Sequence, residues 1–155
     1  MLGLVETQLL FDLADALSEK NCSLSLQILE NIIDKGKDIK QLSKDITEHF
    51  RHLMVIKVGG KALGRLVDYP VEIKEMLLAQ CQRFSLQEIL KAIDVLIESQ
   101  ETARIIESTR MPLEVAFAKL TYQEQPAGAE NASPAPQPAR RPAGEEPTNH
   151  CDPRT

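Results

Sequence analysis

Hydrophobic residues recur every three or four positions over the first 122 residues of the chain, which is the spacing of amphipathic helices. The first such segment runs from Glu6 to Lys20. The second follows Asn21, a residue suited to cap a helix, and ends at Lys35-Gly36, where glycine can take the left-handed conformation. The third begins at Asp38, which resembles a capping box with Gln41, and it is expected to stop at Gly59-Gly60.

Three more helices are predicted beyond a loop that spans Lys61 to Asp68. Pro70 suits the first turn of the fourth helix, with Asp68 or Tyr69 as its cap. Ser85 and Glu88 have the spacing of a capping box and open a fifth helix that runs to Glu107. Pro112 starts the last helix. Since no segment shows sustained period-two alternation, the sequence predicts an all-α bundle of five or six helices.

The last 33 residues, 123–155, have a different composition from the rest of the chain. They contain no Leu, Ile, Val, Met, Phe or Tyr, and they hold seven of the nine prolines. A segment without large apolar side chains cannot offset the entropy of ordering itself. We therefore expect a helical domain over 1–122, then a disordered Pro/Ala-rich linker or tail over 123–155. This layout suggests a module of a longer protein.

Charge and cysteine content narrow the range of functions. The helical part carries 15 Lys and Arg against 18 Asp and Glu, with no basic stripe and few aromatic residues. Direct nucleic-acid binding is therefore not expected. Cys22, Cys81 and Cys151 are widely spaced and form no CxxC, which argues against a disulfide framework or a zinc finger. No apolar run is long enough for a membrane span, so a cytoplasmic protein is expected.

Two local motifs have the residue types of a functional site. Gly59-Gly60-Lys61-Ala62-Leu63-Gly64 combines glycines with a lysine, but a phosphate-binding loop needs GxxxxGK followed by Ser or Thr, after a strand. A helix stop and hinge is the preferred interpretation. His49 and His52 have the i, i+3 spacing of two metal ligands, yet no third ligand accompanies them. Solvated or half-buried helix histidines are favoured over a metal site.

Several helices carry more apolar residues than one core contact requires. The doublets Ile32-Ile33, Leu77-Leu78 and Ile105-Ile106 widen the apolar faces on which they lie. Contiguous exposed apolar patches mark partner surfaces. The residues alone thus leave two interpretations open, a helical assembly module and a self-contained bundle.

A set of short segments resembles a known family. These are Met1-Leu-Gly-Leu-Val-Glu6, Gly36-Lys37-Asp38, Phe50-Arg51-His52-Leu53-Met54 and Arg110-Met-Pro-Leu-Glu114 with Lys119-Leu120. In this order, and followed by a Pro/Ala-rich linker, they resemble the third domain of the gamma/tau subunit of bacterial DNA polymerase III. The likeness covers about Leu2 to Tyr122.

The resemblance implies a non-enzymatic collar domain of the clamp loader in a bacterial, nucleoid-associated replisome. Its partners would be other gamma/tau subunits, delta and delta-prime, joined in a ring. The ATPase modules, with their ATP, Mg and Zn, would lie in domains outside this chain and would load the sliding clamp onto primed DNA. No catalytic, ATP-binding or metal residue of the family has a counterpart here. The alternative is a free-standing helical adaptor whose Pro-rich tail recruits a peptide-binding domain.

The last helix is where the resemblance suggests subunit contacts. Leu113, Phe117 and Leu120 lie at i, i+4 and i+7 and are predicted to form its core face. Val115 and Ala116 are predicted to point away from the core, where a neighbouring subunit would cover them. Arg110 and Glu114 are predicted to supply charged contacts at the edge of this interface.

Overall fold

A computed structural model describes residues 4–63, 65 and 67–122, with side chains at all of these except 4, 5, 61 and 63. This part of the chain forms six α-helices and no strand, so the predicted all-α bundle is confirmed. The helices are α1 Leu4–Ser18, α2 Cys22–Asp34, α3 Ile39–Leu63, α4 Val71–Cys81, α5 Leu86–Ile106 and α6 Arg110–Thr121. The predictions for 123–155 concern residues outside those described.

Side-chain caps begin three of the helices at or beside the predicted positions. The Asn21 side chain accepts a hydrogen bond from the amide of Leu24 at 3.0 Å and caps α2. Before α5, the Ser85 hydroxyl accepts from the Glu88 amide and the Glu88 carboxylate accepts from the Ser85 amide, a complete capping box. The hydrogen bond from the Ser85 amide lowers the pKa of Glu88.

The third cap is only half of the predicted box. Asp38 accepts from the amides of Lys40 and Gln41 at the start of α3. The side chain of Gln41 turns forward along the helix and donates to Asp45 at 2.9 Å. Carboxamide pairs of this i, i+4 kind compete with the reciprocal cap bond, because the side chain has one amide group to orient.

Glycines at positive φ shape the ends of α2 and α3. Gly36 follows α2 with φ 72°, and its amide donates to the carbonyl of Ile33, as the predicted helix stop requires. The predicted helix stop at Gly59-Gly60 is present as a break at Gly60, but α3 does not end there. Gly60, at φ 58° and ψ −149°, kinks the helix, which resumes and ends at Leu63. The loop expected over 61–68 therefore starts later than predicted.

The two prolines occupy different places in their helices from those predicted. Pro70 is the cap residue of α4 itself, with ψ 157°, so neither Asp68 nor Tyr69 caps this helix. Pro112 is the third residue of α6, which begins at Arg110. Proline is tolerated there because the first amides of a helix have no partner inside it.

The bundle is organised around α3 and α5. Helix α5 packs against α3 on one side and α6 on another, α4 packs on α3, and α1 and α2 close the remaining face against α6. The rings of Phe50 and Phe84 meet edge to face at the centre, with centroids 5.4 Å apart. Two fully buried residues of α6, Leu113 and Phe117, join the same core. Within the described residues, no helix is both long and apolar enough to cross a membrane.

Lys20 contacts both α5 and α6 from the end of α1. It follows α1 with φ 57°, and its ammonium donates to the carbonyl of Leu120 near the C-terminus of α6 at 3.3 Å. The same group lies 3.3 Å from the carboxylate of Glu88 in the first turn of α5. A cation is favourable at a helix C-terminus, where the backbone carbonyls carry partial negative charge. The end of α1 thus connects α5 to α6.

Candidate protein-interaction surface

Helix α6 is apolar on both its inner and its outer side. Its inner side carries Leu113, Phe117 and Leu120, the first two fully buried and the third nearly so. Its outer side carries Met111 and Val115, which are 56 and 46% exposed. Helix α6 therefore exposes apolar area next to its buried face, and contiguous exposed apolar patches mark protein-interaction sites.

The outer residues follow a regular spacing along the helix. Met111, Val115 and Ala118 lie at i, i+4 and i+7, and Tyr122 at the end of the helix continues the row with 70% of its surface exposed. We call these four residues the outer stripe. The sequence-based interpretation identified only Val115 among them, although the same spacing of three and four residues extends to the others.

Ala116 does not belong to this surface, and the prediction that it points away from the core is wrong. It is only 2% exposed and lies within the core. At 3.6 residues per turn, Ala116 is about 60° around the helix from Leu113 and about 40° from Leu120. It therefore shares their inner face, and a methyl group there lets α6 approach its neighbours closely.

A shallow groove between α5 and α6 borders the outer stripe. It has a volume of about 90 Å³, and Val95 and Thr102 of α5 face Met111 and Val115 of α6 across it. The ammonium of Lys119 lies 3.4 Å from the carboxylate of Glu98 over the groove. The stripe thus continues onto α5 and has a charged pair on one side.

Arg110 and Glu114 lie at the edge of the stripe and pair with each other. Arg110 Nε donates to Glu114 Oε1 at 3.0 Å, and its terminal nitrogen forms a short ion pair with Glu30 of α2. These carboxylates raise the pKa of Arg110. The pairs are exposed, so they contribute little stability of their own. Their contact with a partner subunit stays a prediction.

Helix α5 carries a second exposed apolar row. Leu86, Leu90 and Ile97 are 38, 43 and 47% exposed, and half-buried Ile93 lies between them on the same face. Val95, which lines the groove towards α6, is about 180° around the helix from Leu86. We call Leu86, Leu90, Ile93 and Ile97 the α5 stripe. It lies on the opposite side of α5 from α6.

The two histidines are buried, so the expectation of solvated or half-buried side chains is wrong. His49 Nε2 lies 2.6 Å from the amide oxygen of Gln80, whose amide nitrogen donates to the carbonyl of Phe11 and to Asp15. Because that nitrogen is the donor, the Gln80 oxygen accepts a hydrogen bond from His49 Nε2–H. Burial lowers the pKa of His49 to about 4, which keeps the ring neutral near pH 7.

His52 faces a different group from His49. Its Nε2 lies 3.3 Å from Glu48, and its ring meets Tyr69 edge to face. Burial lowers the pKa of His52 as well. In the described part of the chain, no three His, Cys, Asp or Glu side chains are grouped as metal ligands would be. The nucleotide-loop alternative depends on Gly64 and the side chain of Lys61, which lie outside the described residues.

Comparisons with known proteins identify relatives of the chain. Residues 1–133 match the family model described as DNA polymerase III subunits gamma and tau domain III. The chain is 27% identical over 121 residues to the DNA polymerase III subunit gamma/tau of Mycobacterium tuberculosis, a match that covers 77% of the chain and 21% of that protein. It is 26% identical over 128 residues to the DNA polymerase III subunit tau of Bacillus subtilis, covering 83% of the chain and 22% of that protein.

The fold also has a counterpart among solved structures. The Bacillus subtilis DNA clamp loader delta protein superposes with a TM-score of 0.65 at 17% identity, over 76% of this chain and 37% of that one. At that identity the likeness concerns the fold alone. The chain spans about a fifth of the length of the curated relatives it matches.

Proposed function

Because the chain belongs to the family of domain III of the DNA polymerase III gamma and tau subunits, we propose that it is a non-catalytic assembly module of a clamp loader. Its partners in this proposal are other gamma/tau subunits, delta and delta-prime, which it holds together in a ring. ATP, Mg and Zn are assigned to other domains of the complex, which load the sliding clamp onto primed DNA. The observation that carries the proposal is the outer stripe of α6.

The outer stripe supports assembly because its apolar side chains have a lower free energy when buried against a protein surface than in water. Burying apolar surface contributes about 25 cal/mol per Å². Met111, Val115 and Tyr122 each keep about half or more of their surface exposed in the isolated chain. A neighbouring subunit that covers them gains this term without any rearrangement of the core beneath.

The α5 stripe supports a ring in particular. In a ring, each subunit meets two neighbours through two different surfaces, whereas a two-fold dimer uses one surface twice. The outer stripe and the α5 stripe are two separate apolar surfaces on different sides of the α5–α6 pair. We assign one to each neighbour.

The test replaces Val115 by Glu, which places a charge in the middle of the outer stripe. Val115→Glu is expected to weaken co-purification of the chain with delta, delta-prime and other gamma/tau subunits, while the melting temperature stays nearly unchanged. Ala79→Glu is the matched control, since it adds the same charge to an exposed position of α4, which packs mainly on α3. Unchanged co-purification of Val115→Glu, or its unfolding, would contradict the proposal.

A second arm tests whether two surfaces are used. Val115→Glu and Leu90→Glu each damage one surface and leave the other intact. Light scattering of the purified chain with its partner subunits is expected to show truncated assemblies with either variant. If Leu90→Glu assembles as the unaltered chain does, the α5 stripe is not the second surface, and the ring assignment fails.

A further inference from the structure

A cleft on another side of the molecule gathers positive charge from distant parts of the chain. It lies between the first turns of α3 and the last turns of α5, is bounded by the α5–α6 joint, and has a volume of about 530 Å³. Its lining residues are Lys40, Ser43, Lys44, Gln100, Ala103, Arg104, Glu107 and Thr109. Three of these are cations and one is a carboxylate, in a chain whose net charge is −5.

The two lysines are available to a ligand. Lys40 and Lys44 lie at i, i+4 and are exposed, and no carboxylate of the described residues is within ion-pair distance of either. Across the cleft, Arg104 Nη1 is 3.1 Å from Glu101, an exposed pair of the weak kind that an incoming anion can replace. The cleft therefore has three cationic groups on two facing helices.

The floor of the cleft carries a polar group without a partner. Ser43 is 2% exposed, lines the cleft directly before Lys44 in α3, and its hydroxyl has no hydrogen-bond partner among the described residues. Beside it, the Gln100 amide is held by the Ser43 carbonyl and the Thr47 hydroxyl. Buried polar groups in folded proteins are almost always hydrogen-bonded, and the Ser43 hydroxyl has a donor that no described residue uses.

The N-terminal ends of α6 and α3 add to the positive electrostatic potential at the cleft. Thr109 caps α6 without a side-chain hydrogen bond, so the positive end of the α6 dipole opens at the cleft. The start of α3 has the same polarity, although Asp38 already occupies it. The C-terminus of α5, Glu101 and Glu107 oppose these ends, and Lys40 and Lys44 have no carboxylate of the described residues within ion-pair distance.

We propose that this cleft binds a phosphate group. A phosphate presents three or more oxygens, enough to accept from two ammonium groups and a guanidinium at once, with one oxygen towards the Ser43 hydroxyl. The lining contains no aromatic side chain that would stack on a base. Recognition is thus of the phosphate and not of a base, whether the phosphate belongs to a nucleic-acid backbone or to a small phosphate compound.

The experiment measures binding of two probes to the full 155-residue chain at low salt. One probe is a fluorescein-labelled single-stranded oligonucleotide of mixed sequence, followed by anisotropy, and the other is inorganic pyrophosphate, followed by calorimetry. Binding of the oligonucleotide alone identifies a backbone phosphate as the ligand, and binding of pyrophosphate alone identifies a small phosphate compound. If neither probe binds, the proposal is wrong.

Variants test whether the cleft is responsible. Lys40→Ala with Lys44→Ala is expected to weaken binding at least about tenfold and, for the oligonucleotide, to reduce the slope of log affinity against log salt by roughly 1.4, since each contact to a single strand contributes about 0.7. Lys35→Ala with Lys91→Ala removes two exposed lysines outside the cleft and controls for net charge. Equal effects of the two pairs would overturn the proposal.

Ser43→Ala and Arg104→Gln complete the test. Ser43→Ala removes the unpaired hydroxyl without changing charge, so we expect weaker binding at an unchanged salt slope. Arg104→Gln alters an exposed residue of α5. It tests the cleft if a substitution on α3 impairs folding, which circular dichroism measures. Binding that neither variant affects would also contradict the proposal. Because the cleft and the outer stripe are separate surfaces, assembly is expected to be the same in all of these variants.

Discussion

The first and last helices of the bundle bury comparable inner faces and present different outer faces. Leu13 and Leu17 of α1 are buried as completely as Leu113 and Phe117 of α6. The outer side of α1, from residue 6 onward, exposes Gln8 and Asp12, which hydrogen-bond to each other at 2.9 Å. The outer side of α6 exposes the four apolar residues of the outer stripe. Water solvates the polar outer side of α1, whereas the outer side of α6 is the surface that we propose a partner subunit covers.

Polar contacts on the inner side of α1 also hold this helix in place, which adds to its difference from α6. Arg83 pairs with Asp15 at 3.2 Å, Asp15 accepts from Gln80, and Gln80 accepts from His49. The ring of His49 in turn meets Phe11 edge to face, with centroids 4.8 Å apart. Directional bonds of this kind specify one arrangement of α1, α3 and α4. The position of α1 is therefore determined within the chain itself.

The largest effect on the free energy of unfolding is expected from the inner faces of α1 and α6, which are buried to a similar extent. Phe117→Ala in α6 is expected to lower the free energy of unfolding by about 3 to 4 kcal/mol, and Leu13→Ala in α1 by about 3 kcal/mol, because both delete fully buried side chains. Urea denaturation of the two variants beside the unaltered chain measures both values. A cost below about 1 kcal/mol for Phe117→Ala alone would mean that α6 is not part of the core.

A smaller effect is expected from pH, through the burial of His49, which lowers its pKa. The pKa of His49 falls from 6.5 in the unfolded chain to about 4 in the fold. Only the unfolded state then binds the proton between these values, so stability is complete above pH 6.5 and is lost as pH falls towards 4. At pH 5 the loss is about 2 kcal/mol.

Denaturation at pH 7.5 and pH 5 in the unaltered chain and in His49→Gln isolates this contribution. Gln cannot titrate, and His52, whose pKa is also lowered, stays present in both proteins. The variant is therefore expected to lose about 2 kcal/mol less between the two pH values. Equal losses in both proteins would show that His49 is not held neutral by the fold.

Local patterns predicted most of the fold, and non-local contacts account for what they missed. The cap at Asn21 and the box at Ser85 and Glu88 are decided within three residues, and they appear where the sequence placed them. The histidines were misjudged because their burial depends on Phe11 and Tyr69, which lie on other parts of the chain. The spacing of apolar residues predicts that a helix has an apolar face, but it does not show which other element packs against that face.

The candidate surface was predicted in part, for related reasons. Spacing identified Val115 as outward, and the misplacement of Ala116 was an error in helical geometry that the sequence could have corrected. The pairing of Arg110 with Glu30 joins residues 80 positions apart, and no sequence pattern indicates it. The cationic cleft escaped notice for the same reason, because Arg104 lies on α5 and its lysines on α3.

The smallest effect on stability is expected from substitutions on the outer faces of α1 and α6. Such substitutions are expected to differ in their effect on subunit association and not in their effect on stability. Met111→Ser in α6 and Asp12→Ser in α1 alter exposed positions, so each is expected to change the free energy of unfolding by no more than about 0.5 kcal/mol. Met111→Ser removes apolar area from the outer stripe and is expected to weaken association with the partner subunits. Asp12→Ser should leave association unchanged, because water already solvates that face. Sedimentation of each variant with delta and delta-prime decides the matter: equal association of the two would mean that the exposed apolar row of α6 has no partner, however well its inner face is packed.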